Sequence, residues 1–172
     1  SVIIPYYKKR LYFKKTFNSV VLQKFKRFEV IIIYDDEDKT DLSYIKSIIK
    51  NKKNTKLIIN AKNLGAGESR NKGIKISNGE YLAFLDSDDL WSKEKLSAQY
   101  NFMKKNKILI SHTSYNIINS NDKIIGFRKA KKIQNYNDLI SSCDIGLSSV
   151  MVKKEILKKN KFSNQTTKED YS

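Results

Sequence analysis

At 172 residues, with 40% hydrophobic and 30% charged side chains, the chain can bury one sizeable core and lacks the composition of a disordered segment. Its longest apolar runs, such as Val30–Tyr34, are strand-sized and fall well short of the roughly 18 residues a membrane-spanning helix needs. The net charge of +16 comes from lysines scattered along the chain, which argues against a dedicated nucleic-acid surface and leaves a modest tendency toward anionic membrane surfaces.

In chain order, the sequence opens on strand residues without a leader, so its first residue is expected to be a processing edge. Val2-Ile3-Ile4, stopped by Pro5, reads as a buried strand. Phe13, Phe17, Val20 and Val21 form the stripe of an amphipathic helix. Glu29–Tyr34 is β-branched and apolar, hence a second buried strand. Leu42, Ile45, Ile48 and Ile49 mark a second helix, and Lys56–Asn60 a third strand. A loop at Asn63–Gly67 leads into a helix holding Ile74, with Gly79 expected in a left-handed C-terminal cap. Glu80–Leu85 is the fourth strand, ending at Asp86. Ser92 is expected to cap a helix through Leu96, Tyr100 and Met103.

Beyond Asn106 the order loosens. Ile108–Ile118 and Lys123–Phe127 read as strands around the polar turn Asn119–Asp122. A short helix near Tyr136–Ser142, a strand over Ser148–Val152 and a helix over Lys153–Asn160 follow. The alternation predicts an α/β fold with a mostly parallel central sheet and helices on both faces. No repeat or low-complexity linker divides the chain, which reads as one domain over residues 1–172.

Ligands of open α/β sheets collect at the carboxyl ends of the parallel strands. That rule gathers Pro5-Tyr6-Tyr7, Asp35-Asp36 and Asp86-Ser87-Asp88 on one rim. The acids crowd in three groups: Asp35 to Asp41, Asp86 to Asp89, and Glu169-Asp170. Like charges so placed repel, and a fold tolerates them where a cation or a reaction requires them. Asp86 and Asp88 are two apart, so in extended chain both carboxylates face one way and can address one cation. Mg²⁺ or Mn²⁺ typically takes one or two carboxylates and leaves the rest to phosphate and water. The same run reads equally as a turn into a helix with acidic caps.

Zinc would need clustered His and Cys, and the chain has one of each, His112 and Cys143, in different elements. Both read as packing residues, and a lone cysteine excludes an internal disulfide and fits a reducing cytoplasm. Gly65 and Gly67 suit a phosphate cradle or simply a tight turn. Arg70 reads either as a phosphate or base contact or as a solvated helix arginine.

Four segments stand in an order and spacing that resemble family 2 glycosyltransferases: Ser1–Tyr7, Phe28–Asp36, Asn63–Ile74 and Asn78–Trp91. The likeness continues more weakly through Ser148–Val152 to Lys168–Tyr171. It implies the GT-A fold, with residues 1–91 as the nucleotide-sugar and metal half and 92–172 as the acceptor side. It also implies a fragment cut short at its C-terminus. By resemblance, Pro5 and Tyr7 border the nucleotide base and Asp36 accepts a hydrogen bond from it. Arg70 lies near base or phosphates, Asp86 faces ribose and metal, Asp88 is the main metal ligand, and Asp170 is the general base. Lys8 stands where the family has Asn, the loop after Asp36 lacks the family's glycine, and Ser69 replaces a common Ala.

The implied activity is inverting transfer from a nucleotide-diphosphate sugar, a UDP-sugar by default, to a glycan or lipid-linked sugar acceptor. Mn²⁺ or Mg²⁺ assists, and the expected location is cytoplasmic, at most peripheral to the inner membrane face. A sugar nucleotidyltransferase is the near alternative, but it usually has a glycine-rich loop where this chain has Pro5–Lys8. The others are a nucleotide-sugar-binding fragment without catalysis and a basic nucleic-acid-binding module, against which the acid-lined strand ends argue.

Overall fold

A computed structural model describes residues 1–131 and 145–163. Four parallel strands form the first part of a six-stranded sheet: β1 (Val2–Tyr6), β2 (Val30–Tyr34), β3 (Thr55–Ile59) and β4 (Tyr81–Phe84). Their order is β3-β2-β1-β4, and β8 (Met151–Lys153) and β5 (Ile110–Ser111) extend the sheet beyond β4. β8 runs antiparallel to both of its neighbours, so the sheet is mixed at that edge. A separate hairpin pairs β6 (Tyr115–Ile118) with β7 (Ile124–Arg128). The helices are α1 (Arg10–Val21), α2 (Leu42–Ile49), α3 (Gly65–Ile76), α4 (Lys95–Asn106) and α5 (Lys154–Leu157).

Side-chain alternation along the strands divides the core. Val2, Ile4 and Tyr6 of β1 and Val30, Ile32 and Tyr34 of β2 pack with Phe13 and Phe17 of α1, Ile45 of α2 and Leu96 and Met103 of α4. Ile3, Leu82, Phe84 and Val152 face the other way, onto Ile74 of α3 and toward Phe162. With helices on both faces, every residue of β1 and β2 is buried, which is why their sequences run apolar without alternation.

Several expectations change. Gly79 does not take a left-handed conformation; α3 ends on an extended Ser77. A Cβ at Gly79 would collide with the Ser1 backbone nitrogen, so close chain approach explains the glycine. Ser92 does not cap α4, which starts at Lys95 with no side-chain cap; its carbonyl accepts from Lys95 N at 3.1 Å instead. The segment expected to be one strand over Ile108–Ile118 splits into β5 and β6, because the chain must leave the sheet edge to build the hairpin. The turn at Asn119–Asp122 forms as expected, with Asn119 Oδ1 accepting from the backbone of Asn121 and Lys123. Ser148–Val152 begins as a 3₁₀ turn over Leu147–Ser149 before β8, and the following helix is only the short α5. The helix expected at 136–142, and Cys143, lie outside the described residues.

Candidate functional site

The parallel ladders align Tyr6 with Tyr34 and Ile3 with Phe84, so the carboxyl ends of β1, β2 and β4 share one rim. Asp35 N donates to Tyr6 O at 2.8 Å, which carries the acidic loop directly off the end of β1.

That loop is held without glycine and without any left-handed residue. Asp38 N donates to Asp36 Oδ1 at 3.2 Å, and Thr40 N donates to Asp38 Oδ1 at 2.8 Å. Each bond spans two residues, the Asx-turn pattern that lets a carboxylate do a glycine's work. The Tyr6 hydroxyl donates to Asp41 Oδ2 at 2.6 Å, and Arg10 Nη1 donates to Asp41 Oδ1 at 3.0 Å. Tyr6 stacks on Tyr34 with ring centroids 5.2 Å apart. Asp35 is structural: its buried carboxylate accepts from Asn60 Nδ2 at 2.6 Å and Leu64 N at 2.9 Å, tying β2 to the start of α3. Asp36 is also nearly enclosed, at 5% exposure, whereas Tyr7 is open to solvent.

Gly67 does not lie in an open cradle; it is buried inside α3, and only Gly65, at φ +85°, needs glycine's conformational freedom. Arg70 is no solvated arginine either. At 3% exposure it directs Nη2 to Asp86 Oδ1 at 2.7 Å, with its guanidinium carbon 5.5 Å from the Phe162 ring centre.

Asp88 turns toward a different partner. Lys9 Nζ lies 2.7 Å from Asp88 Oδ2, and that carboxylate holds the Lys9 ammonium above its ordinary range. The preceding Lys8, at φ 49°, is raised by Tyr7 and then by Asp36. Lys8 thus feels the charge of the Asp36 loop while Lys9 pairs with the Asp88 turn, and Lys9 together with Asp86, Asp88 and Asp89 lines one groove of about 960 Å³.

Ser148 holds the acidic turn, a role its sequence position as a strand residue does not signal. Its hydroxyl oxygen accepts from Asp86 N at 3.0 Å and its carbonyl accepts from Trp91 Nε1 at 2.7 Å. Partial burial pushes the Asp89 carboxyl up; a Ser148 hydrogen bond opposes this, and the Asp86 and Asp88 charges add to it. From the other side, Thr16 Oγ1 donates to Ser87 O at 3.1 Å, and Trp91 N donates to Ser19 Oγ at 3.1 Å. Below Trp91 lies a buried lysine: Lys95 Nζ is 3.9 Å from its ring centre and 3.4 Å from Val150 O. Burial lowers its amine to about 7.

The donor set suits a hard divalent cation. Asp86 and Asp88 side chains are each 36% exposed at the groove, and no three His, Cys, Asp or Glu gather to hold a metal among the described residues. Two carboxylates with room for phosphate and water fit Mg²⁺ or Mn²⁺, and a closed zinc site is not what they make. His112 follows β5 with its Nδ1 buried and without a hydrogen-bond partner. Asp170 and Glu169 lie outside the described residues. No described helix is long and apolar enough to cross a membrane.

Residues 1–160 match the family model for Glycosyl transferase family 2. An uncharacterized glycosyltransferase of Rickettsia felis is 38% identical over 167 residues, covering 94% of this chain and 27% of that protein. The Escherichia coli enzyme WfgD, a UDP-Glc:alpha-D-GlcNAc-diphosphoundecaprenol beta-1,3-glucosyltransferase, is 34% identical over 172 residues, covering 99% of this chain and 66% of the enzyme. S. aureus TarS 1–349, solved in complex with UDP-GlcNAc, superposes with a TM-score of 0.75 at 25% identity, over 99% of this chain and 50% of that one. The chain thus spans about a quarter to two thirds of the length of these relatives, and its fold is that of GT-A glycosyltransferases.

Proposed function

The chain belongs to glycosyltransferase family 2, and from that premise we propose that it moves a sugar, inverting its anomeric carbon, from a nucleotide-diphosphate sugar to an acceptor hydroxyl. UDP-sugar is the default donor, and a lipid-linked sugar or growing glycan is the acceptor. The observation that carries this reading is the shared rim of β1, β2 and β4, from which the Asp36 loop and the Asp86–Asp88 turn both project. WfgD's named reaction and the UDP-GlcNAc bound by TarS support the donor and acceptor classes.

Pro5 and Tyr7 border the base in this reading, and Asp36 receives a hydrogen bond from it. The tight packing around Asp36 suits a specificity contact better than a mobile one. Arg70 acts through Asp86, holding that carboxylate toward the ribose and cation, and Asp88 is the principal ligand. Asp88 and Asp86 would hold Mn²⁺ or Mg²⁺, which would supply Lewis-acid stabilisation of the diphosphate's developing charge. Asp170 takes the acceptor proton as the acceptor oxygen bonds to the anomeric carbon. The bond from that carbon to the β-phosphate oxygen breaks, and its electron pair leaves with the nucleoside diphosphate. No protein acid is needed for that leaving group, unlike the paired carboxyls of a glycosidase.

The test is transfer of labelled sugar to a lipid-linked GlcNAc-diphosphate acceptor by wild type and Asp170→Asn. The variant is expected to keep UDP binding and lose about 10²–10⁴-fold in transfer rate, the usual contribution of a general base. Normal turnover by the variant removes Asp170 from this role.

A further inference from the structure

The β6–β7 hairpin stands outside the main sheet and exposes apolar side chains on both faces. Ile118, Ile124, Ile125 and Phe127 are between 37% and 66% exposed. Exposed apolar groups gathered on one element are uncommon on a freely soluble surface and mark an interaction site. Exposed Lys123, Arg128 and Lys129 flank them. Asp122 is the only acid between residues 115 and 129, and Lys15 of α1 engages it at 2.5 Å. One turn before Lys15 on the same helix face is Leu11, 85% exposed. An ion pair thus joins two elements that each expose apolar side chains, with cations beside those of the hairpin.

The chemistry of the patch selects its occupant. A polynucleotide would use the cations for its phosphates but not the aliphatic groups beside them, since stacking on bases needs aromatic side chains. A second copy of the chain would bring another +16 of charge to the same surface, which repels it. An anionic bilayer answers both features, since aliphatic groups enter the headgroup boundary while Lys and Arg face lipid phosphates. The position of the patch agrees: Tyr115, Ile117 and Ile124 of the hairpin line the same groove as Asp86 and Asp88. We propose that the β6–β7 hairpin, together with Leu11, is a docking surface for an anionic lipid bilayer and seats the groove beside the membrane. The use of that orientation for a lipid-linked acceptor rests on the transferase reading; adsorption itself does not.

Vesicle sedimentation without donor or acceptor tests it, so failure here is distinct from failure of UDP binding or transfer. Wild type is expected to bind phosphatidylglycerol–phosphatidylethanolamine vesicles, to bind less as salt rises, and to ignore phosphatidylcholine vesicles. A triple variant Lys123→Gln/Arg128→Gln/Lys129→Gln is expected to lose about a hundredfold in partition, at roughly fivefold per basic residue. Ile125→Ser/Phe127→Ser is expected to weaken binding at unchanged charge. A control, Lys50→Gln/Lys52→Gln/Lys53→Gln, removes the same charge from the exposed turn before β3 and is expected to cost far less. Equal loss in the control, equal binding to neutral vesicles, wild-type binding by the hairpin variants, or a hairpin variant that changes only self-association each overturns the proposal. All variants replace exposed side chains, and an unchanged Tm verifies that they fold.

Discussion

Lys9 Nζ sits 2.7 Å from Asp88 Oδ2, so the carboxylate proposed to receive a divalent cation already neighbours a cation of the protein itself. Both side chains are partly open to solvent, where such pairs contribute about 0.2–1 kcal/mol. Lys9→Met is therefore expected to leave stability within about 1 kcal/mol of wild type. With that competitor gone, Mn²⁺ should bind the nucleotide-free protein up to about fivefold more tightly, the same energy expressed as affinity. Calorimetric titration of Mn²⁺ checks this; weaker Mn²⁺ binding by the variant would mean Lys9 supports the site rather than competing for it.

Gly73 sets the approach of α3 to β1. A Cβ there would lie 2.5 Å from Ile3 Cγ2, and Ile3 is fully buried between neighbouring strands. Helix propensity alone favours Ala over Gly by about 1 kcal/mol. Overpacking costs typically about 1–3 kcal/mol, and here it acts against a side chain in the sheet centre. Gly73→Ala should accordingly lower the urea midpoint at constant m-value. A rise in the midpoint would show that α3 shifts freely.

Lys95 makes stability depend on pH in an unusual window. Its amine titrates at about 7 when folded and near 10.4 in the unfolded chain. Between those values the unfolded state binds more protons, so stability rises with pH there. Lys95→Met removes the buried charge, and its advantage over wild type should be greatest below pH 7 and shrink toward pH 10, by about 1.4 kcal/mol per pH unit across that window. Chemical denaturation of both proteins at about pH 6, 8 and 9.5, one point below the window and two within it, reads the difference. A pH-independent difference would contradict a depressed amine.

The layout of the sheet is readable from the sequence because its central strands carry the strongest signal. β1 and β2 are covered on both faces, and their unbroken apolar runs say so; the placing of Asp36 and Asp86 on one rim then follows from parallel topology alone. What stays hidden depends on long-range pairing. Ser148 reads as an ordinary strand residue until β8 inserts antiparallel beside β4 and brings it to Asp86 N. Lys9 resembles many other lysines, and only the turn at Lys8 aims it at Asp88. Gly79 misleads because glycine serves both left-handed caps and close approach, and a single sequence does not separate the two. Arg70 is ambiguous for a similar reason: helix spacing does not reveal that its face meets the tip of β4.

Whether the Asp88 turn holds a cation against a nucleoside diphosphate is measured directly by a thermal-shift comparison. Wild type and Asp88→Asn are melted with UDP, each with and without Mn²⁺. At ligand near 100 times its Kd, wild type should gain about 2.7 kcal/mol with both present. It should gain far less with UDP alone, and the variant should melt like apo wild type yet show no Mn²⁺-dependent gain. An equal gain in both proteins, or one indifferent to Mn²⁺, would contradict it.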